Sequence, residues 1–349
     1  MKFNYPISIL TAFGLTVFLL FFLRPVAFNI GLVDKPDKRK QHEGVVPLTG
    51  GLAMFVALSF SILTLDTSIG WLRAFLAGAL ILVITGVLDD LHELSTTARF
   101  TAQIIATTIM AMWGGIVLND FGYLLTTSSM LGTSWLAIPV TVFAAIGVIN
   151  ALNMLDGIDG LAASISLVSI TGLAIVSVNS GHRNILLVLG LLAAVLVAFL
   201  IFNLRCDKKN CSLAFMGDAG SMFLGFVLSW FFIMLSQGDD RAMAPVTALW
   251  IFGMPLNETL TMMLRRIRQG RSPFSADREH IHHLLEEKGF SNRRTLVLIV
   301  AASALFAAVG LLGHFLHIPE PVMFYSFLVV FGGYLVLIKR GWKVLRRER

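Results

Sequence analysis

The sequence predicts an all-α polytopic membrane protein of about eleven transmembrane helices, with its N-terminus periplasmic and its C-terminus cytoplasmic. Two observations predict the class. The 349 residues are 56% hydrophobic and only 14% charged, with a mean hydropathy of +0.80, whereas a soluble domain carries roughly 25% charged residues. The deficit also runs the whole length of the chain, in repeated apolar runs of about 20 residues, the length that spans a bilayer. A third observation, the distribution of Lys and Arg, sets the orientation.

The apolar runs place spans at roughly 5–24, 48–65, 71–88, 99–118, 135–152, 161–179, 184–203, 219–236, 243–264, 295–314 and 321–338. The first run reads as the first span rather than as a signal peptide. An odd number of spans puts the termini on opposite sides. One side then holds 24–47, 89–99, 204–218, 265–294 and the tail after 338, with 23 of the 27 Lys and Arg. The other side keeps Lys2, Arg73, Arg183 and Arg241. The positive-inside rule makes the basic side cytoplasmic. The outer loops 119–134, 180–183, 238–242 and 315–320 show only scattered charges. No internal repeat is visible, which weakens an inverted-repeat transporter reading. Cys206 and Cys211 share one polar loop and read as ordinary thiols, since two ligands are too few for a closed metal site.

Every acidic or His-rich motif falls on the basic side. The end of the third span reads LDDLHELS, with Asp89 and Asp90 adjacent. Paired carboxylates at a membrane boundary repel unless a cation or proton is shared or water reaches them. The run NALNMLDGIDGLA carries Asn150, Asn153, Asp156 and Asp159 at a spacing of three, which on a helix gathers them on one face. In FMGDAGS, small residues surround Asp218 just before the eighth span, where a metal-reaching carboxylate and a plain helix N-cap are both open readings. In SPFSADREHIHHLLEEKG, Ser275 or Asp277 can start a short helix and Gly289 can end it. On that helix His280 and His283 share a face and His282 points elsewhere. Its N-terminus, with Arg278 and the imidazoles, suits a phosphate. Zinc is disfavoured there because it needs three or four convergent ligands in closed geometry and no Cys lies nearby in sequence.

Together these loops put five carboxylates, Asp89, Asp90, Asp156, Asp159 and Asp218, at one cytoplasmic cleft beside Arg and His. A polyanion held through a divalent cation fits such a set, and oxygen-only ligands favour Mg²⁺ or Mn²⁺. Phosphoryl transfer most needs this combination, and a site at the bilayer surface suggests that one substrate is a lipid. Nothing points to a nucleic acid. An ion-coupled transporter is the rival class, but it would place its ionisable groups near the bilayer midplane.

In order along nearly the whole chain, GLVDKPDKRKQHEGVVPLTGG (31–51), the DD pair, the N-x-x-N-x-x-DG-x-DG run, MGDAGS and HIHH resemble the polyprenyl-phosphate N-acetylhexosamine-1-phosphate transferase family. The HIHH segment is similar to the branch that uses UDP-N-acetylglucosamine and undecaprenyl phosphate. The resemblance implies a bacterial inner (cytoplasmic) membrane enzyme, one integral-membrane catalytic domain over 1–349. Its site would be built from cytoplasmic loops near 31–50, 89–99, 150–161, 204–221 and 265–294. It would transfer N-acetylglucosamine-1-phosphate from UDP-GlcNAc to undecaprenyl phosphate, or use another UDP-N-acetylhexosamine. The implied roles are metal ligation by Asp218 with Asn153, and activation of the lipid phosphate by Asp89 and Asp90. Asp159 and Phe215 would lie near the uracil, Arg99 near the pyrophosphate, and His280, His282 and His283 at the diphosphate or sugar. Asp156 completes the catalytic set, and Asn150, Arg265 and Arg278 are candidate substrate-binding groups. A homodimer is compatible with this reading. The sequence departs from the family in the ninth span, where Asn257-Glu258 stands where an Asp is expected.

Overall fold

The computed structural model describes residues 5–35, 44–65, 70–204, 212–272 and 280–348. Helices dominate: α1 (Tyr5–Ile30), α2 (Gly50–Leu63), α3 (Leu72–His92), α4 (Thr96–Met112), α5 (Ala137–Leu155), α6 (Leu161–Asn179) and α7 (Arg183–Asn203). They continue with α8 (Gly217–Ser236), α9 (Pro245–Ile251), α10 (Gly253–Arg268), α11 (Ile281–Glu287), α12 (Asn292–Phe315) and α13 (Glu320–Glu348). Cys206, Cys211, Ser275, Asp277 and Arg278 lie outside the described residues.

Among the described residues, eight helices are long and apolar enough to cross a membrane. The other three runs read as spans form shorter helices. α2 has 14 residues and α4 has 17. The ninth run is two helices, α9 and α10, broken at Phe252. The break has a local cause: Pro255, near the start of α10, has no N–H to give the Ile251 carbonyl one turn back. Hydropathy misses it because Pro and Gly inside an apolar run barely change a window average. Helix α4 ends at Met112, ahead of Gly114 and the left-handed Gly115, six residues before the hydropathy boundary. Two short strands interrupt the all-helical prediction: β1 (Val33–Asp34) pairs antiparallel with β2 (Val46–Pro47).

Helix α8 is the hub. Seventeen of its 20 residues are buried, and it packs against α3 and α5, then α2, α6 and α9. Aromatic side chains fill one side of it, with Phe75 and Trp71 edge-on to Trp230 or Phe231. Helices α1 and α13 are mostly unburied, and their outward Phe18, Phe21, Phe22 and Val329 form an apolar belt that lipid can cover. At the N-terminal end of α8 the neighbours come very close. A Cβ on Gly86 of α3 would strike the backbone of Asp218 and Ala219, and one on Gly51 of α2 would strike Gly220. These contacts draw the end of α3, one turn past Gly86, directly against Asp218. The β1–β2 hairpin seals the same end: Phe215 N–H donates to the Pro47 carbonyl at 2.9 Å, and Gly50 N–H to the Phe215 carbonyl at 2.9 Å.

Candidate active site

The site is assembled from helix ends at that level: the C-terminal ends of α3, α5 and α10, the N-terminal ends of α4 and α8, and α11. Its open part is a cleft of about 320 Å³ whose polar lining includes Arg99, Gln103, Asn150, Asn153, Arg266 and the three histidines.

Beside the cleft sits an acid cluster. Asn153 joins the two, because it lines the cleft while its Nδ2 donates to Asp218 Oδ1 at 2.6 Å and to Ser221 Oγ at 2.8 Å. The Asp89 carboxyl lies against that of Asp218. Asp89 also accepts from Leu94 N–H at 2.7 Å and from Arg99 Nη1 at 3.1 Å, so Arg99 spans cluster and cleft. Asp90 takes a different part. Its carboxylate accepts the Asp218 backbone N–H at 3.0 Å and approaches that of Ala219 at 3.5 Å. It therefore caps α8 from another helix, an arrangement worth on the order of 1 kcal/mol. Asp218 is thus not the cap of its own helix: it sits in the first turn with its carboxyl turned to Asn153 and Asp89.

The even Asn/Asp spacing does not run along one helical face. Only Asn150 and Asn153 are on α5, which ends at Leu155. Asp156 is the cap that follows it, and a turn through Gly157 to the left-handed Gly160 carries Asp159 on to the start of α6. Asp159 accepts from the Ser212 hydroxyl, and neither Asp156 nor Asp159 lines the cleft. The helix ends at Leu155, so Asp156 and Asp159 fall beyond it and the spacing of three has no common face to act on. Asn150 stays in the cleft wall, its Nδ2 donating to Gln103 Oε1 at 2.7 Å.

The histidines also depart from the helical reading. His280 precedes α11 with extended backbone, so the i to i+3 rule does not apply to it. The His280 and His282 rings stack at 5.6 Å and 6°, the His283 ring lies 4.1 Å from His282, and all three line the cleft. Burial, then the neighbouring His283 and His280, hold His282 down to about 3, so it is a neutral imidazole at physiological pH. The Ile281 N–H at the start of α11 is taken by Glu258 Oε1 at 2.9 Å, which removes it from the phosphate role expected of that helix end.

Arg265 lies 5.8 Å over the Trp342 ring, while the adjacent Arg266 is buried and lines the cleft. Neighbours on a helix diverge by about 100°, and the RRIR run does not disclose the phase. Phe215 is half-buried beside the hairpin and does not line the cleft. Sequence reasoning missed Gln103, Arg266 and Ser221. A buried Gln inside the apolar run of α4 was the available signal for the first.

The donor set suits a hard cation. Asp218, Asp89 and Asn153 present oxygen, with one contacting guanidinium, Arg99. Among the described residues no three His, Cys, Asp or Glu side chains are gathered tightly enough to hold an ion alone. A cation here would complete its shell with amide, water and phosphate oxygens, as Mg²⁺ does.

Comparison with known proteins matches residues 72–236 to the description glycosyl transferase family 4. Proteins named undecaprenyl-phosphate alpha-N-acetylglucosaminyl 1-phosphate transferase are similar over nearly the whole chain. That of Escherichia coli (strain K12) is 39% identical over 340 residues, 97% of this chain and 92% of the relative. That of Yersinia pestis is 40% identical over 328 residues, 94% and 89% of the two chains. That of Haemophilus influenzae is 36% identical over 345 residues, 98% and 96%.

Proposed function

From the chain's membership of glycosyl transferase family 4, we propose its reaction: it transfers N-acetylglucosamine-1-phosphate from UDP-GlcNAc to undecaprenyl phosphate, giving undecaprenyl-diphospho-GlcNAc and UMP. The observation that carries the reading is the junction at Asn153 of an acid cluster with a cleft lined by Arg and His. One substrate brings a diphosphate and the other a phosphate on an apolar tail, so the site must neutralise charge at a membrane face.

An oxygen of the lipid phosphate attacks the sugar-linked β-phosphorus, and the bond from that phosphorus to the UMP oxygen breaks. The attacking phosphate is largely a dianion at pH 7, with a second pKa near 6, so it needs orientation more than a strong base. Arg99, fixed by Asp89, and the buried Arg266 supply fixed positive charge for phosphate oxygens. His282, neutral, offers a hydrogen bond without adding charge. Asp218, Asn153 and Asp89 would hold Mg²⁺ or Mn²⁺, which when bound neutralises the diphosphate.

The finer topology belongs to the same proposal. α2, α4 and the α9–α10 pair join the eight long helices as eleven spans, with the N-terminus outside. The cleft then faces the cytoplasm of the bacterial inner membrane, with UDP-GlcNAc. The bias of 23 out of 27 Lys and Arg to the cleft side supports this.

The test is mass spectrometry of the lipid formed by purified protein from UDP-GlcNAc and undecaprenyl phosphate. A product heavier by one GlcNAc-1-phosphate, with UMP released, is expected. Exchange of labelled UMP into UDP-GlcNAc should accompany it, because one diphosphate link replaces another. An unmodified lipid under conditions that keep the protein monodisperse would sink the reading. For sidedness, a single cysteine at Ser95 should resist an impermeant thiol reagent in intact cells, and one at Ser129 should react.

A further inference from the structure

Glu258 belongs to the pair at which the sequence departs from the family pattern, and it is fully buried in α10. A carboxylate taken out of water is tolerated only when donors meet it. Here they come from two other elements. Oε1 accepts the Ile281 N–H at 2.9 Å and lies 3.0 Å from His280 Nδ1; Oε2 accepts from the Tyr334 hydroxyl of α13. One carboxyl thus ties the cytoplasmic half of α10 to the entry of α11 and to the last helix.

The arrangement matters because α11 has seven residues, too few to be stable alone. Beyond Glu258, it is held by apolar contacts such as Leu284 with Ile338 and Trp342. Those contacts fix depth but not the rotation of an imidazole. We propose that Glu258, itself held by Tyr334, is a positioning residue of the transferase: it sets the tautomer and orientation of His280 and, through ring stacking, the place of His282.

Oε1 already accepts from a backbone N–H, so the His280 ring donates its Nδ1 proton to it. Nε2 is then the ring's other polar atom, and His280 lines the cleft. A hydrogen bond at one ring nitrogen is how proteins fix what the other offers a ligand. The stacked His282 follows, and its ring closes against Gly157. Glu258 and Tyr334 are absent from the cleft lining, so they act through the histidines rather than on substrate.

The inference rests on the transferase reading, and its test separates the two. Steady-state kcat and KM for UDP-GlcNAc are measured for Glu258→Ala, Glu258→Gln, Tyr334→Phe, His280→Ala and the doubles with His280→Ala. Loss of a ligand-orienting partner typically costs 10- to 100-fold. Glu258→Ala should lower kcat/KM by that order. Glu258→Gln should recover part of it, because the amide oxygen still accepts from Ile281 and the ring. Tyr334→Phe should lose several-fold. In the His280→Ala background these losses should vanish; equal losses in both backgrounds would assign Glu258 to fold alone. If Glu258→Ala is not monodisperse in detergent, Tyr334→Phe, which deletes one hydroxyl, decides on the same criterion. A second readout needs no activity: ¹⁵N spectra of histidine-labelled protein near neutral pH should show His280 as the Nδ1–H tautomer, with the signal altered in Glu258→Gln. An Nε2–H tautomer in the wild type overturns the proposal. Failure of the wild type to make the lipid product would instead strike the transferase reading.

Discussion

Helix α8 has a polar network at each end, and the two differ in how their charge is met. At its C-terminal end, Gln237 receives the N–H groups of Asn119 and Asp120 on its side-chain oxygen and donates back to the Asp120 carbonyl. Beside it Arg241 lies 3.6 Å from both Asp120 and Glu320, and Glu320 also accepts the Tyr123 N–H at 2.9 Å. Both of these carboxylates have a guanidinium and a backbone donor. At the N-terminal end, among the described residues, only Asp89 of the three has a cation in contact; Asp218 rests on the Asn153 amide, and Asp90 on backbone N–H groups. The first network closes on itself and holds the loop after α4 to the start of α13. The second keeps negative charge, which in the proposed reaction a metal-bound diphosphate would use. The outer loops read from sequence as scattered charge, yet they converge just as the motif loops do. Convergence alone therefore does not mark an active site; the unbalanced charge does.

The largest expected effect follows from that imbalance. Rigorous chelation with EDTA should abolish transfer, and Mg²⁺ or Mn²⁺ should restore it. Full activity in chelator would remove the metal role from Asp218 and its neighbours and erase the contrast between the two ends.

Next comes Asp218→Asn, which keeps the size and deletes the charge. We expect kcat to fall on the order of 10²-fold or more, with a smaller change in KM. The cap on α8 comes from Asp90, so the variant should stay monodisperse on gel filtration. A near-normal kcat would move the centre of the site to Asp89 and Asn153.

A gentler probe is Gly157→Ala. Its Cβ would lie 2.5 Å from His282 Nε2, so the imidazole must shift. KM for UDP-GlcNAc should rise by roughly tenfold with kcat less affected, the pattern of a weakened ground-state contact. An unchanged KM would place the diphosphate away from His282.

The buried imidazole also predicts a pH effect on stability. His282 is held from 6.5 down to about 3, mainly by burial. The unfolded chain takes up this proton below about 6.5 and the folded chain does not, so its contribution is full above 6.5 and is lost as pH falls towards 3. Thermal unfolding of His282→Gln in detergent should therefore show a shallower loss of Tm between pH 6.5 and 4.5. A parallel slope would mean that the ring is hydrated.

Smallest in its effect on activity is Arg241→Ala, at the opposite end. Partly exposed ion pairs contribute about 0–1 kcal/mol, so Tm should drop by only a few degrees and kcat/KM stay within about twofold. A loss of activity comparable to that of Gly157→Ala would show that the outer network is coupled to the cleft.

The sequence by itself determined the membrane class, the order of the motif loops and the chemical character of the cleft. These depend on local properties: hydropathy over a window, Lys and Arg in short loops, and residue type within a motif. Where the tertiary structure decided, the cause was helix phase, helix termination or contact between residues far apart in the chain. Asp90 caps a helix that begins 127 residues later, as the positions Asp90 and Gly217 show. Arg266 rather than Arg265 enters the cleft because one residue turns a side chain by about 100°. The Asn/Asp run lost its common face because α5 ends at Leu155, before either Asp of the run. Glu258 acquired its partners only when α11 and α13 closed over α10, from positions 22 and 76 residues away. Residue type is written along the chain, but which group remains open to a ligand depends on what packs against it.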